Sequence, residues 1–358
     1  MKRLNIFIHS LVNLGDVLLS TSAVALLKQK YPEARITMMV RPFARQLVEN
    51  NSLIDQVLIF DYKAKGKSFR SMLDIVKQIK VQNFDMSISF DRKLRPALLC
   101  FLAGIPVRVG PDRLFDDKPS RVSWLYTHTI RMPDDFFYTH QAQLFQEIIR
   151  AHFQIKGTAS PQIGKVEQAH YKKAECLLQD LHHEKKIALG IRGTYYSKNW
   201  PQHKFAELIA RLKQTVDADF YIVGASGDFE YGQELVEMSE VPVKNFCGET
   251  DLLELAALME KSDLLITIDT GGMHIAATTK VPIVGIYRCV SQYRWRALTD
   301  RFQAVASFRE ACPKQMKNPE LCPGHYCVKD IEVEAVYQAA ISFLNGKTSE
   351  NENEAGEV

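Results

Sequence analysis

The chain has 358 residues, 46% of them hydrophobic and 24% charged. At roughly 150 residues per domain that length predicts two domains, and the apolar fraction excludes an intrinsically disordered chain. Lys plus Arg (45) against Asp plus Glu (42) leaves a formal charge of +3, which argues against a dedicated nucleic-acid binder.

In chain order, LNIFI (4–8) reads as a strand and DVLLSTSAVALLKQ, from Asp16 to Gln29, as an apolar helix. Strands follow at 35–40, 56–60, 84–90 and 107–109, with helical segments between them. Short β-branched runs alternating with helical periods predict a parallel sheet covered on both faces. A helix at 138–153 leads into the polar linker IKGTASPQIGK (155–165), after which the rhythm restarts. Strands are expected at 186–191, 219–224, 243–246, 263–269 and 282–287, separated by helices near 203–214, 228–239 and 251–261. The expected organisation is a first domain over 1–160 and a second over 166–330, both Rossmann-like, with their sheets facing a central ligand cleft. A last amphipathic helix (331–346) is expected to pack back across the domain interface, and the acidic tail 347–358 to be disordered.

The N-terminus imitates a signal peptide: Lys2 and Arg3, an apolar run, then STSA at 20–23. His9, Asn13 and Asp16 interrupt the apolar run, and a charge in its middle is costly in a membrane. No segment reaches the roughly 18–20 apolar residues that cross a bilayer. Seven scattered cysteines do not form a secreted disulfide framework. A cytosolic protein is expected, at most lying on a membrane surface.

In open parallel sheets ligands bind beyond the carboxyl ends of the strands. After DLLITI the chain reads Asp269, Thr270, Gly271, Gly272, Met273, His274 and then an apolar helix. Free amides and the positive dipole end of such a helix suit a phosphate, glycines admit close approach, and His274 adds a donor. The simpler alternative is that Asp269 or Thr270 only caps the helix. A second loop, Arg192 to Pro201, follows KIALGI and carries the Thr194 hydroxyl, the Lys198 cation and a Trp-Pro pair suited to fixing the next helix. Lys198 is either a phosphate-neutralising point charge or a solvated surface lysine. In the first domain Gly15 is placed at a strand-to-helix turn and Asp16 opens the helix, whose N-terminus favours an ionised carboxylate. Asp16 is either a general base or a first-turn residue that only stabilises its helix.

Other signals fall away. Asp217-Ala218-Asp219 resembles a metal-binding D-x-D but precedes its strand, at the wrong end of the sheet. His182-His183 has no partner at ligand spacing. Neither a G-x-G-x-x-G nor a phosphate-binding P-loop motif is present. Cys312, Cys322 and Cys327, with His325, have the donor types for zinc or iron but not a zinc-ribbon spacing, so free or paired thiols are favoured over a metal site. Residues 61–80 hold six Lys or Arg against two Asp. That is usually a solvated face, and otherwise suits an anionic acceptor or membrane.

Four segments together resemble one family: LVNLGDVLLSTSAVALLKQKYPEARITMMVRP, AGIPVRVG (103–110), KNWP (198–201) and IDTGGMHIAATTKVPIVGIY. They are similar to the heptosyltransferases of glycosyltransferase family 9, over about residues 1–345. The resemblance implies the GT-B fold, an ADP-heptose donor, an acceptor in the lipopolysaccharide inner core, inversion at the anomeric centre, and no metal or other cofactor. By position, Asp16 matches the catalytic base and Thr194 and Lys198 match donor-phosphate contacts. Asp269, Thr270, Gly271 and His274 match the donor-binding element, with Gly272 matching by position alone. Two places depart from the family pattern: Ser10 stands where relatives usually carry Arg or Lys, and YRCVSQYRW (287–295) replaces a Gly-rich loop. Rival expectations are a protein-directed transferase on the same scaffold, an idle nucleotide-sugar-binding module, and a sugar-nucleotide epimerase.

Overall fold

A computed structural model describes residues 3–61, 69–91, 93–114, 119–136, 138–195, 198–288, 290–307 and 331–345. Part of the basic segment (62–68), Cys289, the late cluster Cys312, Cys322, His325 and Cys327, and the tail 347–358 lie outside the described residues. The chain divides into two units, Met1–Lys165 and Val166–Val358.

The first unit begins with β1 (Asn5–His9), α1 (Leu14–Lys30) and β2 (Arg35–Val40). After these come α2 (Arg45–Val48), β3 (Gln56–Ile59), α3 (Phe69–Lys80), β4 (Met86–Ser89) and α4 (Leu94–Leu102). The unit ends with β5 (Val107–Pro111), β6 (His128–Ile130) and α5 (Gln141–Phe153). Its strands lie in the order β3-β2-β1-β4-β5-β6, and every neighbouring pair is parallel. Burial on both faces explains why the central strands are continuously apolar rather than alternating. Helix α1 is buried from Asp16 through Leu27 and packs against α5. Its Ser20, Thr21 and Ser22 hydroxyls donate back to the carbonyls of Val17, Leu18 and Leu19 at 2.6–2.7 Å. Those bonds remove most of the cost of burying three hydroxyls. Gln146 on α5 donates to Ser22 Oγ at 3.1 Å and ties the two helices.

The second unit repeats the plan with α6 (Gln168–Leu178), β7 (Lys185–Gly190), α7 (Gln202–Thr215), β8 (Ala218–Ile222) and α8 (Phe229–Met238). It continues through β9 (Val243–Asn245), α9 (Leu252–Glu260), β10 (Leu264–Ile268), α10 (Gly271–Ala276) and β11 (Ile283–Tyr287). Last come α11 (Gln292–Trp295), β12 (Phe302–Ala306) and a helix at Val333–Leu344. The order β12-β11-β10-β7-β8-β9 again reverses at its middle. The helix expected to reach across the domains lays Val333, Val336, Ala339 and Ala340 into the second unit's core and packs on α7.

Four elements were not legible in the sequence, the four-residue α11 among them. Strands β6 and β12 are edge strands of three and five residues that exist by pairing with β5 and β11, and α6 is mostly polar. One local expectation is corrected. Gly15 does not form the turn: α1 starts at Leu14 with Asn13 as its N-cap, Gly15 lies inside the first helical turn, and its backbone is not left-handed. Asp217 stands at the amino end of β8, as expected of a surface turn, and accepts from His183 Nδ1 at 2.5 Å and Glu184 N at 3.2 Å.

In both units the chain winds outward over three strands and then returns to the other side of its first strand. The loops after β1 and β4, and after β7 and β10, therefore diverge and leave a crevice at each sheet's carboxyl edge. The floor of the second crevice is tightly packed. Gly190 pairs with Thr267, whose hydroxyl donates to Gly190 O at 3.2 Å. A Cβ at 190 would sit 2.2 Å from Thr267 Oγ1. Gly190→Ala is expected to lower stability by about 1–3 kcal/mol through overpacking, measured by urea unfolding, and Thr267→Ala should restore part of that loss.

Candidate active site

The loop after β7 is anchored at both ends. Asn199 is buried and its Oδ1 accepts from Gly193 N at 2.9 Å, closing the turn. Trp200 is fully buried, donates from Nε1 to Ile331 O at 3.1 Å, and meets Phe205 edge-on at 4.8 Å. Pro201 is the N-cap of α7, so the Trp-Pro pair does fix where that helix begins. Between the anchors, Thr194 is exposed and Lys198 N donates to Tyr195 O at 2.9 Å.

The loop after β10 meets it. Lys198 Nζ lies 2.5 Å from Asp269 Oδ2, with the two side chains only 20% and 7% exposed. The capping role falls to Thr270, whose hydroxyl accepts from Met273 N at 3.3 Å. Asp269 thus serves the lysine, and the two alternatives for this pair of residues separate. Gly271 opens α10. A Cβ at 272 would make only ordinary 3.6 Å contacts with Leu255 and Thr270, so the fold itself does not demand glycine there.

His274 is buried. Its Nε2 lies 4.0 Å from Asp269 Oδ1, and its Nδ1 is buried without a hydrogen-bond partner. Burial pulls its pKa down to about 4; Asp269 acts against that and Lys198 with it. The imidazole is therefore neutral at physiological pH, a hydrogen-bonding group rather than a second cation. Tyr287 at the end of β11 also stays neutral, its pKa pushed well up by burial and then by Asp269, against Arg296. It donates to Trp295 O at 3.0 Å, within the 287–295 segment that departs from the family pattern. The arrangement is a compact cation–carboxylate–imidazole cluster at a strand reversal, suited to an anionic ligand that competes with Asp269 for Lys198.

The first crevice carries Asp16, buried at the third position of α1. Beside it lies a network that sequence reasoning missed. His9 Nδ1 lies 3.4 Å from Asp91 Oδ2, with both side chains buried. Asp91 also accepts from Leu11 N at 3.1 Å and Lys93 N at 2.9 Å, and the Lys93 ammonium donates to Leu11 O. The loops after β1 and β4 are thereby laced together. Ser10, which replaces the usual cation, is buried and lies 3.4 Å from the Ser20 hydroxyl. Asp91 lies two residues beyond β4, the strand that pairs with β1, and only that pairing brings it to His9.

The family model for glycosyltransferase family 9 (heptosyltransferase) matches residues 72–324. The chain belongs to glycosyltransferase family 9. Lipopolysaccharide heptosyltransferase 3 of Escherichia coli K12 is 24% identical over 301 residues, covering 80% of this chain and 83% of that one. The structure of E. coli ADP-heptose lipopolysaccharide heptosyltransferase II matches with a TM-score of 0.78 at 18% identity, over 96% of this chain and 99% of that one. E. coli heptosyltransferase WaaC with ADP-2-deoxy-2-fluoro heptose gives 0.68 at 17% identity, over 95% and 99%. The protein is thus a glycosyltransferase of the GT-B fold, as its sequence motifs implied.

In this family 9 enzyme the His9–Asp91 pair has a titration signature. Burial opposes a charge on His9, but Cys100 and Asp91 outweigh it and raise the pKa to about 10. A raised pKa contributes stability that is complete below about 6.5 and is lost as pH rises towards 10. The His9 imidazole, assigned in NMR spectra by comparison with His9→Gln, should remain protonated through pH 8. Asp91→Asn should lower its pKa, and His9→Gln should flatten the loss of urea stability between pH 7 and 10.

Proposed function

We propose that the enzyme moves heptose from ADP-heptose to the inner core of lipopolysaccharide (Kdo or heptose on lipid A), inverting the anomeric centre without a metal ion. The observation that carries this reading is the Lys198–Asp269–His274 cluster at the second strand reversal, in a chain of this family. The named relatives support the donor and the acceptor. Asp16 takes the proton from an acceptor hydroxyl, whose oxygen attacks the anomeric carbon as the bond to the diphosphate breaks. ADP leaves with the electron pair, and its growing charge is met by Lys198, Thr194, the amides of Gly271 and Gly272 behind the Thr270 cap, and a hydrogen bond from neutral His274. Asp269 holds the Lys198 ammonium in place until the diphosphate arrives. These groups take the part that a divalent ion plays in other transferases. Because the acceptor is lipid-anchored, the enzyme works as a peripheral protein at the cytoplasmic face of the inner membrane.

Titration calorimetry with ADP-, UDP- and GDP-linked sugars should show preference for the ADP-sugar, and Lys198→Ala should weaken that binding roughly 10- to 100-fold. Asp16→Asn should bind donor as the wild type does and lose about 10²-fold or more in transfer to deacylated core, followed by product mass in EDTA. Transfer that persists in Asp16→Asn, or that requires an added divalent ion, overturns the mechanism. Product found only on protein acceptors overturns the acceptor.

A further inference from the structure

Helix α4 breaks the rule that a surface helix turns polar residues to water. Pro96, Ala97, Leu99 and Cys100 fill its buried side. The opposite arc carries Leu94, Leu98, Phe101 and Leu102, one continuous apolar stripe at 100° per residue. Leu94 is 52%, Phe101 46% and Leu102 48% exposed. The short turn Ser123–Leu125 packs beside it, with Val122 and Leu125 against Ala97 and Leu98. From that turn Trp124 stands out 69% exposed, more than any other large aromatic among the described residues. Four large apolar side chains on two touching elements make a patch that needs a partner.

The charge around the patch identifies the partner. Helix α4 and the strand β5 that follows it carry Arg95 and Arg108 and no Asp or Glu. Arg95 on α4 and Arg121, the neighbour of Val122 in the chain, are exposed, and the Arg108 guanidinium lies over the Phe101 ring at 5.3 Å. An apolar centre with a cationic rim fits an anionic bilayer surface, where aromatic and aliphatic side chains enter the headgroup region and the cations stay among phosphates. A second copy docked face to face would oppose cation to cation. We infer that α4 and the turn at Ser123–Leu125 form the face by which the first unit sits on anionic lipid. Helix α4 starts at the carboxyl end of β4, the same sheet edge as Asp16, so docking through it sets that edge beside a lipid-borne acceptor. Docking here deepens the peripheral contact proposed above, yet it stands or falls on vesicle binding, separately from transfer.

The test uses the full-length enzyme and vesicles of phosphatidylglycerol with phosphatidylethanolamine, against pure phosphatidylcholine. Sedimentation with the anionic vesicles that weakens with salt is expected, with Trp124 emission shifting to the blue and quenched by brominated acyl chains. Trp124→Phe should remove the shift, since Trp200 is buried and Trp295 is half-buried in the second unit. Leu94→Ser/Leu102→Ser should weaken vesicle binding at least about tenfold while thermal midpoint and transfer to deacylated acceptor stay at wild-type levels. Absence of binding to anionic vesicles, or binding unchanged in the double variant, overturns the inference. So does a wild-type dimer in solution that the double variant converts to monomer. Vesicle binding without transfer to any acceptor would sink the proposed function and leave the docking face standing.

Discussion

The reversal of strand order beside the first strand of each sheet places both candidate clusters of this protein. Where the chain leaves β7 in one direction and β10 in the other, the loops that follow them begin side by side and diverge. Lys198 and Asp269 are 71 positions apart in sequence and lie in hydrogen-bond contact because the pairing of Gly190 with Thr267 fixes where both loops begin. The Gly190–Thr267 approach tolerates no added methyl group, so the loops inherit a rigid floor.

Charge burial is the second constraint. A carboxylate at 7% exposure is costly unless it is paired, and Lys198 supplies the pair. Once those two groups are in place, a second cation nearby would be repelled, and burial completes the argument for a neutral His274. In the proposed mechanism Lys198 exchanges this internal carboxylate for the oxygens of the diphosphate while the imidazole stays neutral. In the first unit the same need is met differently: Asp91 collects backbone donors from both loops and a charged His9, and the crevice is laced shut at its base.

Much of the fold was legible because local physics and tertiary structure agree. The runs RITMMV, QVLIF and PIVGIY are apolar without alternation, as strands buried on both faces must be, and each became a strand within a residue or two of its expected ends. The strands β6 and β12 were not legible, since HTI and FQAVA carry too little β signal and gain their order only from a neighbour's edge. At the site, the strand-to-helix step at 268–271 and the Trp-Pro anchor could be read from residue type and position. The His9–Asp91–Lys93 network could not, because nothing local to residue 9 announces a partner 82 positions away.

By itself the sequence determined the two rounds of alternating strands and helices, the residues that would stand at strand ends, and the motifs that place the chain in its family, because hydrophobic periodicity and capping are local properties. Tertiary structure alone decided that Asp269 holds Lys198 while Thr270 caps α10, that Gly15 lies within its helix, and that the apolar stripe of α4 faces outward. Each of those outcomes turns on which groups are brought within a few ångströms after the sheet has formed, and pairing, desolvation and exposure at that distance are set by strand order rather than by neighbouring residues.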